Sequence, residues 1–130
     1  MTVVDASVLV EVLLRTRAGQ ALSRRVLRSG ETLHGPHLID IEVAHAIRRA
    51  TAKGDIAVQR GHDALADLIG FPLRRYRHDV LLPRIWELRA NVTAYDGAYV
   101  ALAELLDAPL LTCDGPLARS SGHRARIELA

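Results

Sequence analysis

Hydrophobic positions in this 130-residue chain follow two rhythms that alternate along its length. Short apolar runs at Val3-Val4, at Thr32-Leu33-His34 (ended by Gly35-Pro36), at Leu110-Leu111-Thr112 and at Arg126 to Leu129 have the length of strands. Elsewhere apolar residues recur every three or four positions. Val8, Leu9, Val12 and Leu13 predict a helix over Ser7 to Arg15; a second follows Gly19 through Ala21, Leu22, Val26 and Leu27 and stops at Gly30. Leu38, Ile39, Val43, Ala46, Ile47 and Ala50 predict a long amphipathic helix over Leu38 to Lys53, closed by Gly54-Asp55. Ile56, Leu65, Leu68 and Ile69 mark another over Ile56 to Ile69, weakened by Gly61. Pro72 to Tyr76, with its proline and arginines, suits an edge strand. Helices over Val80 to Ala90 (Leu81, Leu82, Ile85, Leu88, with Trp86 as an expected core anchor), Ala94 to Leu106 and Pro116 to Ser120 complete the pattern. Short strands alternating with helices predict an α/β fold: a parallel sheet covered on both faces.

Composition narrows the class. No linker, repeat or low-complexity stretch interrupts residues 1–130, a length that one domain with its own core accommodates. An apolar fraction of 49% with 25% charged residues is that of a soluble globular protein. The basic surplus is arginine, since Lys53 is the sole lysine, and arginine's planar fork suits phosphate. Cys113 has no intrachain partner, so a reducing compartment, the cytoplasm, is expected. The opening run around SVLVEVLL has no basic segment before it and is interrupted by Asp5 and Glu11, unlike a signal peptide. No stretch approaches the ~18 apolar residues of a membrane span. Asn91-Val92-Thr93 matches a glycosylation sequon without meaning in a protein that is not secreted.

The chemistry of the chain lies in four acids. Asp5 and Asp114 each follow an apolar run and precede a helical pattern, and in open parallel sheets ligands bind beyond the carboxyl ends of strands. Glu42 and Asp96 lie early in two further helices and can face the same cleft. Two carboxylates about 5 Å apart repel by roughly 3 kcal/mol at an effective dielectric near 20. A hard divalent cation relieves that repulsion, and Mg²⁺ is typically held by a few carboxylates while it keeps waters and contacts phosphate. Structural roles compete with this reading. Thr93 to Asp96 has capping-box spacing, Asp114 before Gly115-Pro116 suits an N-cap, and Glu42 stands one position from the buried stripe. For Asp5, directly after a core strand, no stabilising role suggests itself from sequence.

Other constellations are poorer. Asp5, Ser7 and the histidines lack the G-x-S-x-G elbow of a hydrolase. His34, His37, Cys113 and His123 lack zinc-ligand spacing and are expected in loops and on the surface. There is no G-x-G-x-x-G and no Walker lysine. A phosphatase with Asp5 as nucleophile would want a second acid beside it and a lysine nearby, where the chain has Ala6, Ser7 and a remote Lys53. Arg74, Arg75, Arg77, Arg84 and Arg89 form a candidate phosphate-facing patch, with a solvated edge as the competing reading.

With these residues assembled, the chain resembles the PIN-domain ribonuclease toxins of the VapC type, from type II toxin–antitoxin systems. VVDASVLVEVL is similar to the family's opening strand, whose first metal-binding aspartate maps to Asp5. DIEVAHAIRR is similar to the helix carrying the family's glutamate, here Glu42. LLPRIWELRANVTAYDGAYVALAELLDAPLLTCDGPLA is the most specific segment, and in it Asp96 and Asp114 fall on the third and fourth acids. Ser7 and Thr112 match small hydroxyl residues that line the family's site. Gly97 departs from the family's more usual alanine, and Gly115-Pro116 replaces a further acid of some relatives, which leaves one or two ions open. The resemblance implies a three-layer α/β/α sandwich around a short parallel sheet, usually dimeric. It implies a Mg²⁺- or Mn²⁺-dependent endoribonuclease that hydrolyses RNA phosphodiesters and is held in check by a cognate antitoxin. An RNA- or protein-binding module on the same fold is the alternative.

Overall fold

The apolar runs become five parallel strands, β1 (Thr2–Val4), β2 (Leu33–Pro36), β3 (Leu73–Tyr76), β4 (Leu110–Thr112) and β5 (Ile127–Leu129), in a computed structural model that describes residues 1–130. The helices are α1 (Ala6–Leu13), α2 (Arg17–Val26), α3 (Leu38–Ala52), α4 (Val58–Ile69), α5 (Leu82–Glu87), α6 (Ala94–Leu106) and α7 (Gly115–Ala118). Strand order is β3-β2-β1-β4-β5. The chain therefore steps outward from β1 through β2 to β3, then returns to the other side of β1 for β4 and β5. Right-handed crossovers put α1 to α4 on one face of such a sheet and α5 to α7 on the other. The packing agrees: α1 lies against α2, α3 and α4, while α5 lies against α6.

Burial follows from this layering. Central parallel strands are covered on both faces, and Val3, Val4, Leu110 and Leu111 are wholly buried. They join Val8, Leu9, Ile39, Val43, Tyr99 and Leu102 in one core of 26 residues. The same geometry buries a polar strand residue that sequence placed in a loop or on the surface. His34 is only 4% exposed in β2. Its ring nitrogens pair with the Thr32 hydroxyl at 2.9 Å and the Tyr76 hydroxyl at 2.7 Å. Burial lowers its pKa, so the imidazole is held neutral.

Three further expectations are corrected. Trp86 is no core anchor: it is 69% exposed, with the Arg89 guanidinium 4.7 Å from its ring centroid. Leu81 and Leu88 are the buried members of that segment, Ile85 packs against the core, and a residue next to Ile85 is turned about 100° away from it on a helix. The segment is also shorter than its periodicity suggested. Ile69, at the last position of α4, likewise points to solvent.

Candidate metal centre and its relatives

The order in which strands are added reverses between β1 and β4, and such a switch point leaves a crevice at the carboxyl ends of these two parallel strands. Asp5 follows β1 there, and Asp114 follows β4. The register pairs Val3 with Leu110 and Val4 with Leu111, which carries Asp5 to Thr112. Two hydroxyls then fasten the joint. Ser7 donates to Asp5 Oδ1 at 2.5 Å and accepts from the Cys113 amide at 2.9 Å. Thr112 donates to Asp5 Oδ2 and accepts from the Asp114 amide at 2.9 Å. Asp5 also caps α1, its Oδ1 accepting from the Val8 amide at 3.2 Å. A structural role for Asp5, not evident from sequence, is thus present. A carboxylate offers about four acceptor directions, so Oδ2 keeps one free.

The other acids arrive from both layers. Asp114 caps α7 through Oδ1, accepting from the Leu117 amide at 3.2 Å, and its second oxygen is uncommitted. Thr93 caps α6 by accepting from the Asp96 amide at 3.2 Å. The expected capping box is only half made, because the Asp96 carboxylate does not reach back to Thr93 and accepts no hydrogen bond. Glu42, on α3, receives the Tyr99 hydroxyl on Oε1 at 2.6 Å. Tyr99 lies one turn after Asp96 on α6 and is 2% exposed.

These acids feel one another. Burial chiefly, then the Asp114 charge, pushes the Asp5 carboxyl up, although its hydrogen bonds oppose the shift. Burial followed by the charges of Asp96 and Asp5 raises Glu42. Burial followed by Asp114 and Asp5 raises Asp96. A carboxyl whose folded pKa lies above its unfolded one binds protons more readily in the native state, so stability falls as the pH rises through that interval. In EDTA the acid cluster should therefore add stability as the pH drops through its raised native-state range towards the ordinary 3.8–4.5, against the loss from His34, which burial keeps neutral while the unfolded imidazole takes up a proton. Glu31 acts oppositely: the N-terminal ammonium holds it down to about 2 from an ordinary 4.5, and its contribution is lost only as the pH falls through that lower range. A thermal-melt series on wild type and Asp96→Asn isolates the cluster's share, and identical pH profiles for the two proteins would contradict the cluster.

Chemically the donor set suits a hard cation. All four groups are carboxylates, each keeps at least one oxygen direction free, and no ion pair of the molecule involves any of them. No three of them already converge to metal–ligand distance. Mg²⁺ keeps several of its waters, and so does not require every acid in direct contact.

The arginines do not gather in the same way. Arg75 forks onto Asp40, with distances of 2.8–3.0 Å, and ties β3 to α3. Arg84 forks onto the buried Glu104 at 2.7 and 3.1 Å, joining α5 to α6. Arg74 lines a groove with Met1, Glu31 and His34, by the amino ends of the strands and away from the acids. Arg77 pairs with Asp79 on the surface, and Arg89 covers Trp86. The expected single patch is divided among structural ion pairs and separate surfaces.

Comparison with known proteins agrees with this geometry. The PIN domain family profile matches residues 2–121. Ribonuclease VapC12 of Mycobacterium tuberculosis is 46% identical over 129 residues, covering 99% of this chain and 98% of that protein. Ribonuclease VapC1 of the same organism is 41% identical over 98% of this chain and 96% of that protein. Among solved structures, PAE2754 from Pyrobaculum aerophilum superposes with a TM-score of 0.70 at 22% identity, covering 97% of this chain and 81% of that one. VapC20 of M. tuberculosis, a sarcin–ricin loop cleaving toxin, does so with 0.68 at 13% identity, covering 95% and 97%. At those identities the two structures speak for the fold alone. The sequence relatives and the family profile together establish that this chain belongs to the PIN-domain family, among the VapC ribonucleases.

Proposed function

We propose that this chain is a Mg²⁺- or Mn²⁺-dependent endoribonuclease, the toxin of a toxin–antitoxin pair. What supports the reading is that four carboxylates from four segments, none paired with a cationic side chain, lie around the switch point near enough for their charges to act on one another, with no three yet at metal–ligand distance. A protein that only bound RNA would gain nothing from clustered negative charge facing phosphate. The VapC ribonucleases to which the chain is similar support RNA as the substrate.

Asp5, Asp96 and Asp114 would hold the ion directly or through water, and Glu42 would be either a further ligand or the acceptor that orients the attacking water. A bound divalent ion supplies Lewis acidity, lowering the pKa of water and neutralising charge on the phosphoryl oxygens. Ser7 and Thr112 fix both oxygens of Asp5 and so set its orientation. Arg74, Arg77 and Arg89 are the exposed members of the arginine set, and of these Arg77 and Arg89 lie off the amino-end groove and are the ones offered to the RNA backbone; Arg75 and Arg84 serve the fold. A cognate antitoxin and a second copy of the chain are the proposed protein partners, and the cytoplasm the proposed compartment. No helix of the structure is long and apolar enough to cross a membrane.

The chemistry is tested by the product ends. If water is the nucleophile, the RNA 2′-hydroxyl takes no part, and the products carry 5′-phosphate and 3′-hydroxyl ends. Ends bearing 2′,3′-cyclic phosphate would instead mean attack by the 2′-hydroxyl and would overturn this mechanism. End-labelled oligoribonucleotides cut in Mn²⁺ and in EDTA give both the ion dependence and the end chemistry.

A further inference from the structure

The geometry points to Tyr99 as a positioning residue that presents Glu42 to the divalent ion, an inference that rests on the metal-site reading above. Tyr99 is buried, and its hydroxyl donates to Glu42 Oε1 at 2.6 Å. The two residues belong to opposite layers, Tyr99 to α6 and Glu42 to α3, so the bond crosses the carboxyl end of the sheet. Asp96 stands one turn before Tyr99 on its own helix. The phenol thus ties Glu42 to the helix that carries Asp96.

A buried tyrosine needs a partner for its hydroxyl, and a core tyrosine satisfied by any nearby acceptor is the competing explanation. One feature favours the positioning role. A bond to Oε1 fixes a long, three-torsion side chain while leaving Oε2 unoccupied, and Mg²⁺ demands well-placed ligands because its coordination geometry is strict. Hydrogen bonds that orient ligating carboxylates are worth about 10- to 100-fold in metal affinity or activity.

The test is a set of Mn²⁺ titrations followed by electron paramagnetic resonance, on wild type, Tyr99→Phe, Glu42→Gln and the double variant. Phenylalanine keeps the ring that fills the core, and a thermal melt verifies that each variant is folded. The expected result is a Kd about tenfold higher or more for Tyr99→Phe, with the double variant no weaker than Glu42→Gln alone. The RNA-cleavage kcat of Tyr99→Phe should recover as Mn²⁺ approaches saturation, which a loss through general disorder would not do. Wild-type Mn²⁺ affinity in Tyr99→Phe would overturn the inference, as would a double variant whose loss is the product of the two single losses. If Glu42→Gln itself binds Mn²⁺ like the wild type, Glu42 is no ligand and this inference is overturned, while the wider metal-site reading, in which Glu42 can instead orient the water, stands or falls on the three aspartates.

Discussion

Replacing Asp96 by alanine should reduce RNA cleavage by about 10³-fold and abolish growth arrest on expression in bacteria, while the protein stays folded. A metal ion contributes several kcal/mol of charge stabilisation to phosphodiester hydrolysis, and about 1.4 kcal/mol corresponds to each factor of ten in rate. Asp96 is the cleanest position for this experiment because its carboxylate accepts no hydrogen bond and its amide, not its side chain, completes the cap of α6. Asp5→Ala should be equally inactive but less stable, by about 1 kcal/mol, because it also removes the cap of α1. Cleavage assays beside thermal melts separate the two effects. A folded Asp96→Ala protein with wild-type activity would remove this acid from the site.

Substituting Gly19 should be the most damaging change remote from the acids. A Cβ built there would lie 1.9 Å from the Glu11 carbonyl oxygen, far inside contact distance, and the obstacle is backbone that no rotamer change relieves. Helices α1 and α2 pack together at this glycine, and Thr16 caps α2 by accepting from the Gly19 amide at 2.9 Å. Overpacking of this kind costs about 1–3 kcal/mol or more, and each kcal/mol lowers the melting temperature of a domain near this size by roughly 4 °C. Gly19→Ala should therefore melt several degrees below wild type. Gly97→Ala is the control: its Cβ would meet Ile85 and Val92 at 3.5 and 3.7 Å, ordinary contact, so a helical glycine is replaced without strain. Equal melting of Gly19→Ala and wild type would show that the two helices separate freely.

What sequence made legible was local. Val3-Val4 before Asp5 and Leu110 to Thr112 before Asp114 are transitions from strand to helix visible in a few residues, and the parallel sheet follows from their repetition. The capping threonine at 93 was likewise readable three residues before Asp96. The misreadings concern direction and distance. Trp86 shares a helical segment with Leu81, Ile85 and Leu88, but residue type alone does not say which side of that stripe faces out. His34 is buried because β2 is an interior strand, and its partner Tyr76 comes from 42 residues away. The bond from Tyr99 to Glu42 spans 57 residues, and the Thr112 bond that fixes Asp5 spans 107, so neither leaves a trace in local spacing. The arginines were judged by their nearness in sequence, whereas Asp40 and Glu104, the acids that claim Arg75 and Arg84, lie 35 and 20 residues off.

The central claim is that these acids repel one another until a divalent ion joins them, and the melting temperatures of wild type and Asp96→Asn test it most directly. The start of α6 favours a carboxylate at Asp96 by about 0.3–1 kcal/mol, whereas relief of carboxylate repulsion is worth about 1–3 kcal/mol. Burial adds to the latter, in agreement with the raised Asp96 pKa. In EDTA the asparagine variant should accordingly melt above wild type. In excess Mg²⁺ the wild type should gain stability by mass action, since the ion binds only the folded site, and the variant should gain much less. The order should narrow or reverse. If the two proteins melt alike in EDTA and alike in Mg²⁺, Asp96 belongs to no carboxylate cluster, and the metal centre proposed at this switch point does not exist.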